Sequence, residues 1–306
     1  MRIVQGLASY PPDAVPSVVA LGVFDGIHLG HRAILGTAVA RGKARGAHVV
    51  ACTFDRHPME VLQPARAPVP LTTLPERLEL IAATGVDLSL VLAFTPDLAT
   101  VEPEAFVEEV VVGRLHAQEV VVGYNHTFGR GARGDAALLH AVGQPFGLVT
   151  HVVPPLLVDG VPVSSSEIRT ALKEGDVWRA SRYLGRPYAI GGTVMRGAAR
   201  GRTLGFPTAN LDPERPLLVP TGVYACRAEV EGTFHGAVVN VGVRPTFGVN
   251  ALTIEAYLLD FAGDLYDRSL RLHFVACLRG EQKFASVDEL RAQIARDVEA
   301  GRRELL

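Results

Sequence analysis

The sequence predicts two domains of different class: an α/β doubly wound domain over residues 1–185, then an antiparallel sheet or small barrel with a C-terminal helix over residues 186–306. Three observations carry this. Up to Gly185, apolar strand-like runs alternate with helical patterns, which implies parallel strands with helical crossovers. Beyond Gly185-Arg186-Pro187, a helix stop followed by a turn, helical periodicity vanishes for roughly a hundred residues and short alternating strands replace it. The length of 306 residues accommodates both parts.

In the first domain, Val18–Phe24 reads as a buried strand that breaks at the turn dipeptide Asp25-Gly26. A helix is expected over Arg32–Arg45 and a strand over His48–Phe54, completing one βαβ unit. Thr73-x-x-Glu76 is a capping box opening a helix through about Ala83. Strands at Leu88–Phe94, Glu119–Gly123 and Thr150–Val153 alternate with helices at Glu102–Leu115 and Ala136–Ala141. Ser164-x-x-Glu167 opens another helix, and a further one spans Val177–Leu184. In the second domain, strands are expected at Ala189–Met195, Gly222–Val230, Thr233–Val241, Leu252–Phe261 and Ser269–Leu278. The last helix is capped by Ser286 and carries the apolar stripe Val287, Leu290, Ile294, Val298.

Composition narrows the function classes. Apolar content of 48% supports true cores, and a formal charge of −2 supplies no basic field for nucleic acid. No apolar run reaches the ~18 residues of a membrane span. Cys52, Cys226 and Cys277 each sit in an apolar, strand-like run and read as buried thiols. A cytoplasmic protein, monomeric or a weak homo-oligomer, is expected.

Four stretches carry chemistry. Leu21–His31 joins a strand to a helix through a glycine turn, a geometry that points backbone N–H groups at a phosphate. His28 and His31 add donors that can carry positive charge near neutral pH. They could also hold a metal or be structural, but no carboxylate or third histidine completes a metal set. The glycine- and arginine-rich loop Gly123–Asp135 also follows a strand, so both loops fit one crevice at the carboxyl ends of the sheet. Ser164–Arg169 is either a plain serine-capped helix or a second phosphate-holding helix start. In the second domain, Gly201–Asn210 is dense in turn residues. Thr208 and Asn210 offer oxygen ligands for magnesium, or merely close a turn. Glu255 shares a strand face with Thr253 and Tyr257, either as a solvated surface residue or as a general base.

The motif His28-Leu-Gly-His31 with Ser164-Ser-Ser-Glu-Ile-Arg169 resembles the nucleotidyltransferase superfamily, a Rossmann-like fold. The fuller string Gly22–His31, with Thr53-Phe-x-x-His-Pro58, resembles the FAD synthetase module of prokaryotic bifunctional riboflavin kinase/FMN adenylyltransferases. The resemblance implies that His28 and His31 meet ATP phosphates, in a site with Gly22, Phe24, Asp25, Gly30, Asn125, Ser164, Ser165 and Arg169. Many relatives have Asp-Phe where this chain has Asn125-His126, and His126 is expected to be a surface loop residue. Arg77 stands where lysine is common, and little consequence is expected. In the barrel, Gly201–Asn210 with its GFPTAN core resembles the riboflavin kinase signature, supported by Asn240–Phe247 and Ile254–Phe261. This implies a six-stranded barrel binding ATP and flavin through Gly201, Arg202, Thr203, Gly205, Phe206, Pro207 and Arg279. It also implies Thr208 and Asn210 at Mg2+-ATP and Glu255 as catalytic base. The expected substrates are riboflavin, FMN and ATP. Two rival readings are another nucleotidyltransferase fused to a β-domain, and a flavin-binding module without chemistry.

Overall fold

The computed structural model describes residues 1–11, 15–197, 201, 204–246 and 249–306. The chain divides into two compact units, Met1–Ser165 and Ser166–Leu306. The division falls before the boundary expected at Gly185 because helix Val177–Leu184 packs on strands of the barrel. That helix ends as the sequence predicts, on Gly185 in the left-handed region (φ 68°).

The first unit is built on an all-parallel sheet of β1 (Arg2–Gln5), β2 (Ser17–Leu21), β3 (His48–Phe54), β4 (Leu88–Leu92), β5 (Ala117–Gly123) and β6 (Val149–Val153). Their order is β1-β4-β3-β2-β5-β6. The edge strand β1 escapes the sequence pattern because it is four residues long with only Val4 buried. All five residues of β2 are buried, as a parallel strand covered on both faces requires. Successive side chains divide between two cores. Val19, Leu21, Val120 and Val122 pack with Val107, Val111 and Leu115 on one side. Val18, Ala20 and Val121 pack with Ile34, Leu35 and Ala38 of α1 (Leu29–Arg45) on the other. The helix expected over Glu102–Leu115 is an α-turn, Pro103–Ala105, running into a π-helical segment, Phe106–Arg114. From β2 the chain crosses to β3 on one side, whereas β5 pairs on the other. This reversal is a topological switch point, so the loops after β2 and β5 flank one crevice at the carboxyl edge.

A two-stranded hairpin, β7 (Leu157–Val158) and β8 (Val161–Pro162), follows. In the second unit, β9 (Tyr188–Met195), β10 (Ala209–Pro213), β11 (Gly222–Val230), β12 (Thr233–Thr246), β13 (Val249–Leu258) and β14 (Ser269–Gly280) form a closed antiparallel barrel. The strand absent from the residue pattern is β10, which lies inside the stretch read as a ligand loop and closes the barrel between β9 and β13. Tyr224, Val239, Val241, Ile254, Ala256 and Phe274 are buried inward. On the opposite strand faces, Val223, Val238 and Tyr257 pack with Ile294 and Val298 of the C-terminal helix, Val287–Leu305. Val287 is 65% exposed and does not join that stripe, because it is the first residue of the helix. Cys52 and Cys226 are buried as expected, but Cys277 is exposed. The β11–β14 pairing shifts register near there, which breaks simple alternation.

Candidate active sites

The strand expected through Phe24 stops at Leu21, and a strained turn takes its place. Phe24 and Ile27 have φ of 54° and 38°, flanking Gly26 at 84°. Such conformations cost about 1–3 kcal/mol each and persist only where the surroundings over-determine them. Here both side chains are fully buried. The carboxylate of Asp25, also buried, accepts backbone N–H groups from Leu71 (3.0 Å) and Thr72 (3.2 Å). Ser165 Oγ donates to the Asp25 carbonyl at 3.0 Å. Asp25 and Ser165 thus hold the turn by its backbone.

The helix α1 begins at Leu29, earlier than the Arg32 expected from periodicity, because His28 is its N-cap. His28 Nδ1 accepts the His31 N–H at 3.2 Å, an uncommon use of imidazole in a position that usually takes a short oxygen side chain. A Cβ on Gly30 would meet the His28 ring at 3.1 Å, so glycine admits the ring there. The His28 and His31 rings stack with centroids 3.6 Å apart and a 19° tilt. His31 Nδ1 is buried without a hydrogen-bond partner. Burial, then His28, then Arg77 hold the His31 pKa well below its ordinary 6.5. Protonation of His31 is therefore disfavoured relative to a free imidazole. Arg77, which stands where lysine is common in relatives, is a buried residue of this corner. It is only 4% exposed, and its Nη1 donates to the carbonyls of Phe54 (2.8 Å) and Val23 (3.2 Å), joining the ends of β3 and β2.

Across the switch point, Asn125 is exposed. His126 lies in the same surface loop but is half-buried. Its ring stacks on Phe128 at 5.8 Å, its Nε2 is buried without a partner, and burial pushes its pKa down to about 4. The loop is braced by Glu102, whose carboxylate accepts from Arg130 (3.0 Å) and Arg133 (2.8 Å). Ser164 precedes helix Ser165–Lys173, and Arg169, buried one turn in, belongs to the second unit.

In the barrel, strand register assembles the site. Glu255 lies opposite Asn210 on one neighbouring strand and Asn240 on the other. Directly opposed residues share a face, so two carboxamides flank one carboxylate. With Thr208 and Arg279 they line a cavity of about 480 Å3, covered by Leu290, Ile294 and Val298 of the C-terminal helix. Asn240 is a residue the sequence reading missed as a site candidate; its signal is the period-2 count along β12, visible only once pairing is known. Gly201 lines the same cavity, and a Cβ there would come 2.3 Å from the Phe206 carbonyl oxygen. The Phe206 N–H donates to the Gly201 carbonyl at 2.9 Å, and Gly205 sits at φ 88°. Arg202 and Thr203 lie outside the described residues. Pro207 borders a second cavity of about 240 Å3, which Thr208 and Tyr257 also line. Arg279 makes a forked pair with buried Asp297 of the C-terminal helix (Nε–Oδ1 3.0 Å, Nη2–Oδ2 2.8 Å), which fastens the cover to β14. Among the described residues no cluster of three or more His, Cys, Asp or Glu is arranged to hold a metal. The hydroxyl of Thr208 and the amide oxygen of Asn210 are hard donors that suit a magnesium ion shared with substrate phosphate.

A parallel sheet with an imidazole-capped helix at its switch point, followed by a barrel with a carboxylate-centred cavity, is a framework suited to a two-domain transferase of phosphorus-containing groups. The FAD synthetase family pattern matches residues 11–167 and the riboflavin kinase pattern residues 184–305. The bifunctional riboflavin kinase/FMN adenylyltransferase of Pseudomonas fluorescens is 38% identical over 99% of this chain and 97% of its own. Its Bacillus subtilis counterpart is 37% identical over 92% and 90%. A crystal structure described as a macrolide-efflux protein from Streptococcus pneumoniae shares the fold, with TM-score 0.89, 29% identity and 99% coverage of both chains. No helix of the described residues is long and apolar enough to cross a membrane. The chain belongs to the bifunctional riboflavin kinase/FMN adenylyltransferase family. It phosphorylates riboflavin to FMN and adenylates FMN to FAD, consuming ATP in both steps.

Proposed function

We propose that the two steps occupy separate sites, with Glu255 acting only in phosphorylation and His28 and His31 only in adenylation. The observation that carries this is the row Asn210–Glu255–Asn240 in one cavity of the barrel, which belongs to a different compact unit from the histidine-capped helix.

In the barrel, Glu255 takes the proton from the riboflavin 5′-hydroxyl as its oxygen bonds to the γ-phosphorus of ATP and the bond to ADP breaks. The larger cavity suits the flavin because its cover is apolar. The smaller one, sharing Thr208 and Tyr257, suits the nucleotide, so that acceptor and donor meet at Thr208. Thr208 and Asn210 would hold magnesium, which when bound neutralises phosphate charge. In the first unit, an FMN phosphate oxygen attacks the α-phosphorus of ATP and pyrophosphate leaves. The N-terminus of α1 and the stacked imidazoles stabilise the charge on the phosphates, and the Asn125 carboxamide donates to them. Three free cysteines, none paired, are consistent with a reducing cytoplasm. One incubation with riboflavin, ATP and Mg2+, resolved for FMN, FAD, ADP and pyrophosphate, tests the reading. Successive appearance of FMN with ADP, then FAD with pyrophosphate, supports it, and absence of either pair, or unchanged rates after Mg2+ is chelated, contradicts it.

A further inference from the structure

A buried arginine normally meets a carboxylate, because an unpaired charge away from water is costly. Arg77 does not follow that pattern. Its Nη1 reaches three uncharged oxygens: the Phe54 carbonyl at 2.8 Å, the Val23 carbonyl at 3.2 Å and Thr53 Oγ1 at 3.4 Å. Its Nε is buried with no partner. Thr53 Oγ1 itself donates to the Val23 carbonyl at 2.9 Å, so both side chains converge on the residue at which the turn leaves β2. The fold thus keeps a charged group under the Val23–His31 turn although a neutral donor could satisfy the same carbonyls.

We propose that Arg77 is a positioning residue for adenylyl transfer: it fixes the origin of the turn and stands as a buried positive charge behind His31. This rests on the assignment of adenylation to the histidine-capped helix. Two consequences follow. The charge complements the polyphosphate that α1 is built to face, at no reorganisation cost during reaction. It also disfavours protonation of His31, adding to burial and to His28. The remaining charged groups facing Arg77 are Asp25, Asp55 and Glu60, all of which favour its cationic form. Asp55 is engaged with Arg56 and the Phe94 N–H, and Glu60 accepts the His57 N–H, so each has its own partner.

The test compares Arg77→Lys and Arg77→Gln in the full chain. For Arg77→Gln, the adenylation kcat with supplied FMN should fall roughly 10- to 100-fold, less than the roughly 10²–10³-fold of losing a donor in direct contact with the developing charge, while the riboflavin kinase rate is retained as a folding control. The His31 ring, titrated by NMR in the free enzyme, should protonate at higher pH than in wild type, because a neighbouring positive charge is gone. Arg77→Lys, which keeps the charge, should hold both the rate within about threefold and the His31 titration near wild type. Equal losses in the lysine and glutamine variants with an unmoved His31 titration would reduce Arg77 to a structural staple and overturn the proposal. Should Arg77→Gln not fold, a His31 titration moved upward in Arg77→Lys would overturn it as well, and an unmoved one would support it. Failure of the underlying site assignment is distinguishable: His31→Ala would then leave FAD formation intact.

Discussion

The two proposed active sites are built by opposite means. The proposed adenylation site is a strained turn, with three positive-φ residues between Phe24 and Ile27, held by buried polar latches at Asp25, Thr53 and Arg77. The proposed kinase site is a row of side chains on regular antiparallel strands, placed by register. The first concentrates its determinants in one short stretch and relies on backbone groups. The second draws one residue from each of three strands and relies on side-chain chemistry. Turn sites should therefore fail when their supports are cut, and register sites when a single functional group is changed.

The largest expected effect is Glu255→Gln. Removal of a general base should cost about 10²–10⁴-fold in FMN formation from riboflavin, with adenylation of supplied FMN unchanged. Steady-state rates with each acceptor check this. Gly201→Ala comes next. Its new methyl would sit 2.3 Å from the Phe206 carbonyl oxygen, so the segment must shift away from Thr208. Kinase kcat should fall on the order of tenfold or more, with adenylation kept. Asn240→Ala tests the row at its other end. A loss of roughly tenfold in kinase kcat, with little change in the KM for ATP, would show that it orients Glu255. A change confined to KM for riboflavin would make it a flavin contact instead.

How much of this was legible follows the same contrast. The turn site could be read locally, since His28, Gly30 and His31 stand within one helical turn. The lowered pKa of His31 could not, because it depends on burial and on Arg77 from a distant helix. The Asp25 latch to Leu71 and Thr72 was hidden for the same reason. In the barrel, Glu255 was visible through alternation with Ile254 and Ala256. Asn240 needed the pairing of β12 with β13, and β10 was obscured because its glycine- and proline-rich approach resembles a loop. The partial burial of His126 and the exposure of Cys277 were hidden because neither loop packing nor a register shift leaves a mark in local pattern.

The smallest and most general effect lies away from both sites. Glu119, fully buried on β5, is held by Arg41, Arg45 and His151, and its pKa is lowered to about 2, first through the Arg41 hydrogen bond. A carboxyl depressed in the folded state contributes stability above its unfolded pKa near 4.5 and loses it as pH falls toward 2. Glu119→Gln should therefore cost roughly 2–3 kcal/mol at pH 7. Its stability should also vary less with pH between 5 and 2 than that of wild type, as denaturant melts across that range would record. Both activities per folded molecule should persist.

The central claim is that the two chemistries are separable by residue. The most direct measurement supplies riboflavin, ATP and Mg2+ to His31→Ala and to Glu255→Gln, each known to be folded, and quantifies FMN and FAD with time. The predicted result is FMN accumulating without FAD in His31→Ala, and, for Glu255→Gln, FAD only when FMN is supplied. Loss of both activities in either folded variant would contradict the division of labour between the turn and the barrel.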